Sequence, residues 1–388
     1  MLKKQSPAKE LNCSLCGLYK SCNSPRLSQQ GNFKKRILVV AEQPSEADDK
    51  SSKPFQDKSG RLLQRLLKNN GIDLFEDCLI TFSLRCHAGD DYKNVNLDCC
   101  RRLLLSTIKQ YKPHLILAFG SSTIYSLIGD RIKKDLGTIQ QWRGFQIPDQ
   151  DLNAFICPLY SPDFIDTYKD DVGYTLWESD LKSALKCLEQ PFPVFQTPEI
   201  DIIDDLSVLN GIKDNIAIDF ETTGIKPHGK GHRIISCAIA DTKDHAYAFI
   251  LPQTRKDLRP LLNLFEDENV GKIGHNIKFE QMWSEVTLRQ SINNWIHDTM
   301  LTTHLLDNRP RITGLKFQTY VNFGVIDYAS EVEAWIKTKN SNSTNDMNNI
   351  MEFIMQPGGL DKLLTYNGWD SVCTYRLYEK QYVEFLPF

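Results

Sequence analysis

The chain has 388 residues, of which 41% are apolar and 24% charged, a composition typical of a globular protein with two domains. Its apolar runs are too short for a membrane span and no apolar segment follows the N-terminal lysines, so we expect a cytoplasmic protein without a signal peptide. The net charge of −3 excludes nucleic-acid binding through overall charge and leaves that role to local basic patches.

The first half of the chain alternates strand-like and helix-like segments. Strands are predicted over 36–42, 77–84 and 114–120, and helices over 59–71, over 99–111 and from Ser121. Such a βαβ series predicts a parallel sheet covered by helices, with ligands at the carboxyl ends of its strands.

A segment with three prolines and no periodicity, 189–200, predicts an interdomain linker. We place that linker at 191–200, between domains spanning 1–190 and 201–388. Three strand-like runs follow it (NIAIDFE, RIISCAIAD and HAYAFILP), and helices with a further strand begin at VGKIGHNI. The second domain is therefore expected to be α/β with a mixed sheet. The polar stretch 337–348 predicts a flexible loop within it.

Acidic side chains mark three places in the second half. Asp219 and Glu221 end a strand and share one of its faces, because strand side chains alternate. Glu280 lies in IGHNIKFEQMW, and Tyr366 and Asp370 are four apart in a helical pattern. Such oxygen ligands suit Mg²⁺ or Mn²⁺, and two ions can clamp a phosphodiester. A lone Asp-x-Glu, by contrast, is equally typical of solvated acids at a strand end.

Three motifs in this order resemble those of the DEDDy 3′–5′ exonucleases, in particular the proofreading domain of family A DNA polymerases. The matching segments are AIDFETTG, GHNIKFE and YNGWD, supported by HDTMLTTHLLD and TGLKFQTYVNFG between the last two. The resemblance covers roughly 200–388 and implies an RNase H-like exonuclease fold.

The resemblance also implies roles for individual residues. Metal ions would be held by Asp219, Glu221 and Asp370, with Tyr366 orienting the attacking water. Asn276 and the backbone of Glu221 and Thr222 would contact the terminal nucleotide. Phe279 is expected in the core, and His275 as a neighbour of the site rather than a base.

Glu280 departs from the resembled pattern, in which an aspartate usually stands at this position. Glutamate keeps the charge but adds a methylene, which shifts the carboxylate that would serve the second metal ion. We expect activity to survive, with Glu280 still a catalytic and metal-binding residue. Loss of activity is the alternative.

Cysteines concentrate in the first half, where nine of the 11 lie within residues 1–187. Cys13 and Cys16 form a C-x-x-C pair, and Cys86 and Cys99 follow at a strand end and a helix start. Four thiolates can hold zinc or an iron–sulfur cluster, and spacing alone does not choose between them. Scattered buried thiols remain the simpler interpretation for cysteines such as Cys157.

The stretch ILVVAEQPSEADDKSSKPFQDKSGRLLQRLL resembles the first active-site block of family 4 uracil-DNA glycosylases. The resemblance covers about residues 10–190 and implies a parallel-sheet α/β/α domain with a [4Fe–4S] cluster. By analogy the cluster ligands would be Cys13, Cys16, Cys86 and Cys99. Phe55 occupies the position that stacks on a flipped base in that family.

The glycosylase pattern is nevertheless eroded. Its Gly-Glu-x-Pro-Gly motif has become Ala41-Glu42-Gln43-Pro44-Ser45, while Phe82 replaces the uracil-reading asparagine and Ser161 the histidine. Both lost groups hydrogen-bond the base or stabilise the departing uracil anion. We therefore expect a DNA-binding or assembly module rather than an efficient glycosylase.

These observations together predict a 3′–5′ DNA exonuclease of the proofreading type, acting on single-stranded DNA or a frayed 3′ end. The sequence ends at Phe388 without polymerase fingers or palm. We therefore expect the exonuclease part of a split phage-type enzyme, paired with a separate family A DNA polymerase chain in the host cytoplasm. The alternatives are a bifunctional repair enzyme that also excises uracil, and a non-catalytic DNA-binding scaffold.

Overall fold

The structure is a computed structural model that describes residues 12–89, 91–132, 135–168, 171–326, 328, 331–337 and 346–385. It divides into two compact units. The first runs to Val194 and includes Val321–Gly324, and the second begins at Phe195 and resumes at Val325. This division falls inside the predicted linker, although a strand of the second unit already begins at Glu199.

The first unit is built on a five-stranded sheet. Its strands are β1 (Ile37–Ala41), β2 (Cys78–Phe82), β3 (Leu115–Phe119), β4 (Ile147–Asp149) and β5 (Ala154–Leu159). Their order is β2-β1-β3-β5-β4, and all neighbours are parallel except the β4–β5 pair. The predicted parallel sheet is therefore confirmed. The antiparallel edge strand was not predicted, since three residues that include a proline carry no periodicity.

Helices surround this sheet, whose strands are buried along their whole length, as expected for parallel strands covered on both faces. The helices are α1 (Cys13–Cys16), α2 (Glu46–Ser51), α3 (Lys58–Asn69), α4 (Asn94–Tyr111), α5 (Ser121–Ile128), α6 (Ile139–Trp142), α7 (Pro162–Tyr168) and α8 (Asp171–Leu185). Helix α3 begins at an aspartate cap, because Asp57 Oδ1 accepts from the Gly60 N–H at 2.8 Å.

The second unit has a six-stranded mixed sheet. The strands are β6 (Glu199–Ile202), β7 (Ile216–Thr222), β8 (Ile234–Thr242), β9 (His245–Ile250), β10 (Lys272–Gly274) and β11 (Trp295–Asp298). Their order is β11-β10-β7-β8-β9-β6. The β7–β8 and β8–β9 pairs are antiparallel and the other three are parallel, which confirms the predicted mixed sheet.

The helices of the second unit follow or flank these strands. They are α9 (Arg259–Glu266), α10 (Ile277–Trp283), α11 (Thr299–Leu306), α12 (Leu315–Phe323), α13 (Glu333–Ile336), α14 (Ile350–Ile354) and α15 (Gly359–Phe385). The last three residues of α12 are counted with the first unit. Most of the predicted loop 337–348, namely 338–345, lies outside the described residues. In the described part of the chain, no helix is both long and apolar enough to cross a membrane.

Helix α15 lies close to the sheet because small residues face it there. Val372 packs on Ala217 and Ala240, in the centre of the sheet. A Cβ at Gly368 would come within 2.5 Å of Ile200 Cγ2, so a larger residue here would require the Ile200 side chain to move. Because the helix lies this close to the sheet, the polar side chains of α15 lie beside the end of β7.

Candidate functional site

Three carboxylates predicted from the sequence meet where β7 ends under α15. One ligand oxygen each of Asp219, Glu221 and Asp370 lies within 4.8 Å of the others. Across the described residues, no other group of three or more His, Cys, Asp or Glu side chains brings its ligand atoms this close. Strand β7 supplies two of these acids on one face and α15 supplies the third. Predicting the group therefore required both the strand period of two and the helical spacing of four.

Asn367 fixes the position of Asp219 and was not predicted from the sequence. Its Nδ2 donates to Asp219 Oδ2 at 2.5 Å and to the Asp219 carbonyl at 3.2 Å. The Ser236 hydroxyl donates in turn to Asn367 Oδ1 at 2.8 Å, which sets the orientation of the amide. The available signal was its helical spacing, three residues before Asp370 on the same helix.

The carboxylates are buried together, which disfavours their charged forms. Burial raises the pKa of Asp219 to about 7, and the nearby charge of Asp370 adds to this effect. Lys316 and the Asn367 hydrogen bond act in the opposite direction. Burial likewise raises the pKa of Glu221 well above its usual value. The site is therefore short of positive charge, as expected where a cation binds.

Tyr366 lies beside Asp370 as the helical spacing predicted. Burial, followed by the nearby charge of Asp370, raises the pKa of the Tyr366 phenol well above its usual value, so it stays protonated. The ring of Tyr328 stacks on it with 6.2 Å between centroids. The Tyr328 hydroxyl donates to Asp370 Oδ1 at 2.8 Å, a contact that no sequence motif indicated.

Glu280 approaches this site from α10 without joining the group of three. Its side chain is 3% exposed, and its Oε2 atom has no hydrogen-bond partner among the described residues. Burial, followed by the charge of Asp219, raises the pKa of Glu280 well above its usual value. Burying a carboxyl oxygen without a hydrogen-bond partner costs free energy, so this atom fits the position of a metal ligand.

Thr222 and Asn276, which were predicted to contact a nucleotide, form hydrogen bonds within the chain. Thr222 is buried and donates from Oγ1 to the Gly224 carbonyl at 2.7 Å. Asn276 has a left-handed backbone with φ of 74°, and its N–H donates to Asp298 Oδ1 at 3.1 Å. Burial lowers the pKa of His275, a neighbour of the site, to about 4, so this histidine is neutral.

In the first unit, cysteines from three segments surround one small pocket. Its lining includes Cys13, Cys16, Cys86 and Cys100. Cys99, the predicted fourth ligand, does not line this pocket, although burial and then the nearby Cys16 and Cys13 thiols raise its pKa. Neighbouring positions on α4 point about 100° apart, which the sequence spacing alone does not resolve.

Two of these sulfurs accept hydrogen bonds. The Arg26 backbone N–H donates to Cys86 Sγ at 3.3 Å, and Asn96 Nδ2 donates to Cys16 Sγ at 3.4 Å.

A second cavity of the first unit, of about 330 Å³, lies at the eroded glycosylase motif. Phe55 and Phe82 both contribute to its wall and pack together with 6.1 Å between ring centroids. The wall also holds four acids and no lysine, arginine or histidine of the described chain: Glu42, Asp48, Asp57 and Asp163.

Comparison with known families agrees with both resemblances. Residues 28–185 match the uracil DNA glycosylase superfamily, and residues 199–380 match a 3′–5′ exonuclease family. The type-4 uracil-DNA glycosylase of Thermotoga maritima is 28% identical over 137 residues, covering 34% of this chain and 70% of its own. That of Saccharolobus solfataricus is 29% identical over 161 residues, covering 39% and 70%. The resemblances read from the motifs are thereby confirmed.

Solved structures similar to this chain include Brucella melitensis NrnC, at 16% identity and a TM-score of 0.34 over 50% of this chain and 83% of that one. Escherichia coli RNase D, described as an exoribonuclease involved in structured RNA processing, is 15% identical. It has a TM-score of 0.34 and covers 49% of this chain and 45% of that one. Similarity at this level carries no information about substrate.

Proposed function

Since the chain joins a uracil-DNA glycosylase superfamily domain to a 3′–5′ exonuclease domain, we propose that it removes nucleotides from DNA 3′ ends by metal-assisted hydrolysis. The observation that carries this proposal is the group of three carboxylates on β7 and α15, with Tyr366 one turn before Asp370 on the same helix. Its substrate would be single-stranded DNA or a frayed 3′ end.

The donor set fits hard divalent cations such as Mg²⁺ or Mn²⁺. Asp219, Glu221 and Asp370 would hold one ion, and Glu280 with Asp219 a second. Bound ions would acidify the attacking water and stabilise the departing oxygen. Tyr366 would orient that water through its protonated hydroxyl. The water oxygen bonds to phosphorus, the P–O3′ bond breaks, the 3′ oxygen takes up a proton, and a nucleoside 5′-monophosphate leaves.

The test uses the full chain and single-stranded DNA labelled near its 3′ end, with Mg²⁺ or EDTA. Asp219→Ala is expected to lose excision entirely, since two of the proposed ion positions share this carboxylate. Asp257→Ala is the matched control, because Asp257 is an exposed acid of the same unit that bonds only Thr254 in the described structure. Excision by Asp219→Ala at the wild-type rate would refute the proposal.

We further propose that the exonuclease proofreads for a separate family A DNA polymerase chain, as in phage-type replication. Support comes from the order of the three motifs, which is that of proofreading domains. Co-purification with such a polymerase, and faster excision of mismatched than of paired 3′ ends in its presence, are the expected results. Excision that ignores both the mismatch and the polymerase would contradict this assignment.

For the first domain we propose DNA binding or assembly around a [4Fe–4S] cluster, without efficient uracil excision. The cysteine-lined pocket supports the cluster, with Cys13, Cys16 and Cys86 as ligands and Cys99 or Cys100 as the fourth. The acidic cavity wall and Phe82 support the lack of excision. Uracil-containing DNA should accumulate no abasic sites, and robust abasic-site formation would favour the bifunctional repair enzyme instead.

A further inference from the structure

Lys316, near the start of α12, brings its ammonium group into the carboxylate site. Its Nζ forms an ion pair with Asp370 Oδ1 and donates to the Tyr328 hydroxyl at 3.0 Å. The same nitrogen lies 4.1 Å from the ring centroids of both Tyr328 and Tyr366. Lys316 therefore contacts one proposed metal ligand and the residue proposed to orient the water.

The ammonium group of Lys316 can form one more hydrogen bond, to a ligand that enters the site. An ammonium group has three N–H donors, and the contacts with Asp370 and Tyr328 engage two of them. The Lys316 side chain is 25% exposed, whereas that of Asp370 is only 8% exposed. The Lys316 side chain is thus the more accessible partner of this ion pair.

The charges at this site make the Lys316–Asp370 ion pair depend on whether a metal ion is bound. Within the described residues, four acids converge on this site (Asp219, Glu221, Glu280 and Asp370), and Lys316 is the cation in direct contact with one of them. A divalent ion bound by the group of three competes with the ammonium for Asp370. The nucleotide that accompanies the ion carries phosphate oxygens, which are acceptors for a released ammonium.

We propose that Lys316 neutralises the carboxylate site before metal binds and then positions the phosphate of the 3′-terminal nucleotide once the metal ion has taken over Asp370. This inference rests on the proposed exonuclease function and adds a positioning residue to it. The competing explanation is a structural ion pair that only stabilises the fold.

The first measurement is the affinity for Mn²⁺ without DNA, by calorimetry on the full chain. Lys316→Met removes the charge at similar length and is expected to bind Mn²⁺ at least fivefold more tightly, because the competing cation is gone. Lys316→Arg keeps the charge and should stay within twofold of wild type. Lys362→Met is the matched control, since Lys362 is 52% exposed and pairs with Glu331 on the surface. Unchanged Mn²⁺ affinity in Lys316→Met would overturn the proposal.

The second measurement is single-turnover excision at saturating Mn²⁺. Lys316→Met should be at least tenfold slower than wild type although it binds the metal better, and Lys316→Arg should recover part of the rate. A purely structural role predicts instead that affinity and rate fall together with the melting temperature. Wild-type rates in Lys316→Met would equally overturn the proposal. If the wild-type chain excises nothing, the exonuclease proposal fails, while the Mn²⁺ titration still tests the counter-ion role by itself.

Discussion

Asn367 Nδ2 donates to Asp219 Oδ2 at 2.5 Å, so the amide of one residue fixes a carboxylate proposed to bind metal. Removing a hydrogen bond to a charged group costs about 1.5–3 kcal/mol. Asn367→Leu, which is similar in size, is therefore expected to slow excision by roughly tenfold or more. Ser236→Ala, which removes only the partner of Asn367 Oδ1, should have a smaller effect.

The same variant should shift the pH dependence. Burial raises the pKa of Asp219 to about 7, although the Asn367 hydrogen bond acts to lower it. Without the amide this pKa rises, so the acidic limb of the excision rate moves to higher pH. A pH–rate profile measured in Mg²⁺ checks this, and an unmoved acidic limb in Asn367→Leu would count against Asp219 as the titrating ligand.

Stability of the metal-free protein should fall as the pH rises. The pKa of Asp219 is about 7 in the folded chain, against an ordinary value of 3.8, so the folded state retains a proton that the unfolded state has lost. Stability therefore decreases between about pH 4 and 7. Melting temperatures in EDTA should be higher at pH 5.5 than at pH 8, and saturating Mn²⁺ should reduce the difference, since ion binding favours the deprotonated ligands.

The Glu280→Gln variant is expected to affect stability and activity differently. Glu280→Gln keeps the size of a side chain that burial already holds protonated, so the stability of the metal-free chain should change by less than about 1 kcal/mol. Excision in Mg²⁺ should fall at least a hundredfold, because a ligand of the second ion is lost. Glu280→Asp, which restores the more usual residue, is expected to remain within about tenfold. Full activity in Glu280→Gln would show that this carboxylate holds no metal.

The two neighbouring cysteines on α4 provide a matched pair of variants. Cys100 lines the pocket with Cys13, Cys16 and Cys86, and Cys99 does not. Cys100→Ser should lose iron and visible absorbance on purification, while Cys99→Ser retains both. The reverse result would restore Cys99 as the fourth ligand, and zinc in place of iron in the wild-type chain would exclude the cluster.

The parts of the site that lie on one regular element were predictable from the sequence. Periods of two and of about four residues placed Asp219 beside Glu221 and Tyr366 beside Asp370. Lys316 was not predictable, because it reaches Asp370 from 54 residues away through a loop and a separate helix. Likewise, β6 was hidden in a proline-rich stretch that gave no periodic signal.

Helix α15 also sets the order in which the site is completed during protein synthesis. It carries Tyr366, Asn367 and Asp370, and Asn367 is 148 residues further along the chain than Asp219. A ribosome therefore releases the strand with Asp219 and Glu221 long before the residues that complete the ion site. A nascent chain stalled before α15 has two of the three clustered acids and neither the tyrosine nor the amide. The proposed nuclease activity would thus begin only after this helix has been translated and has docked.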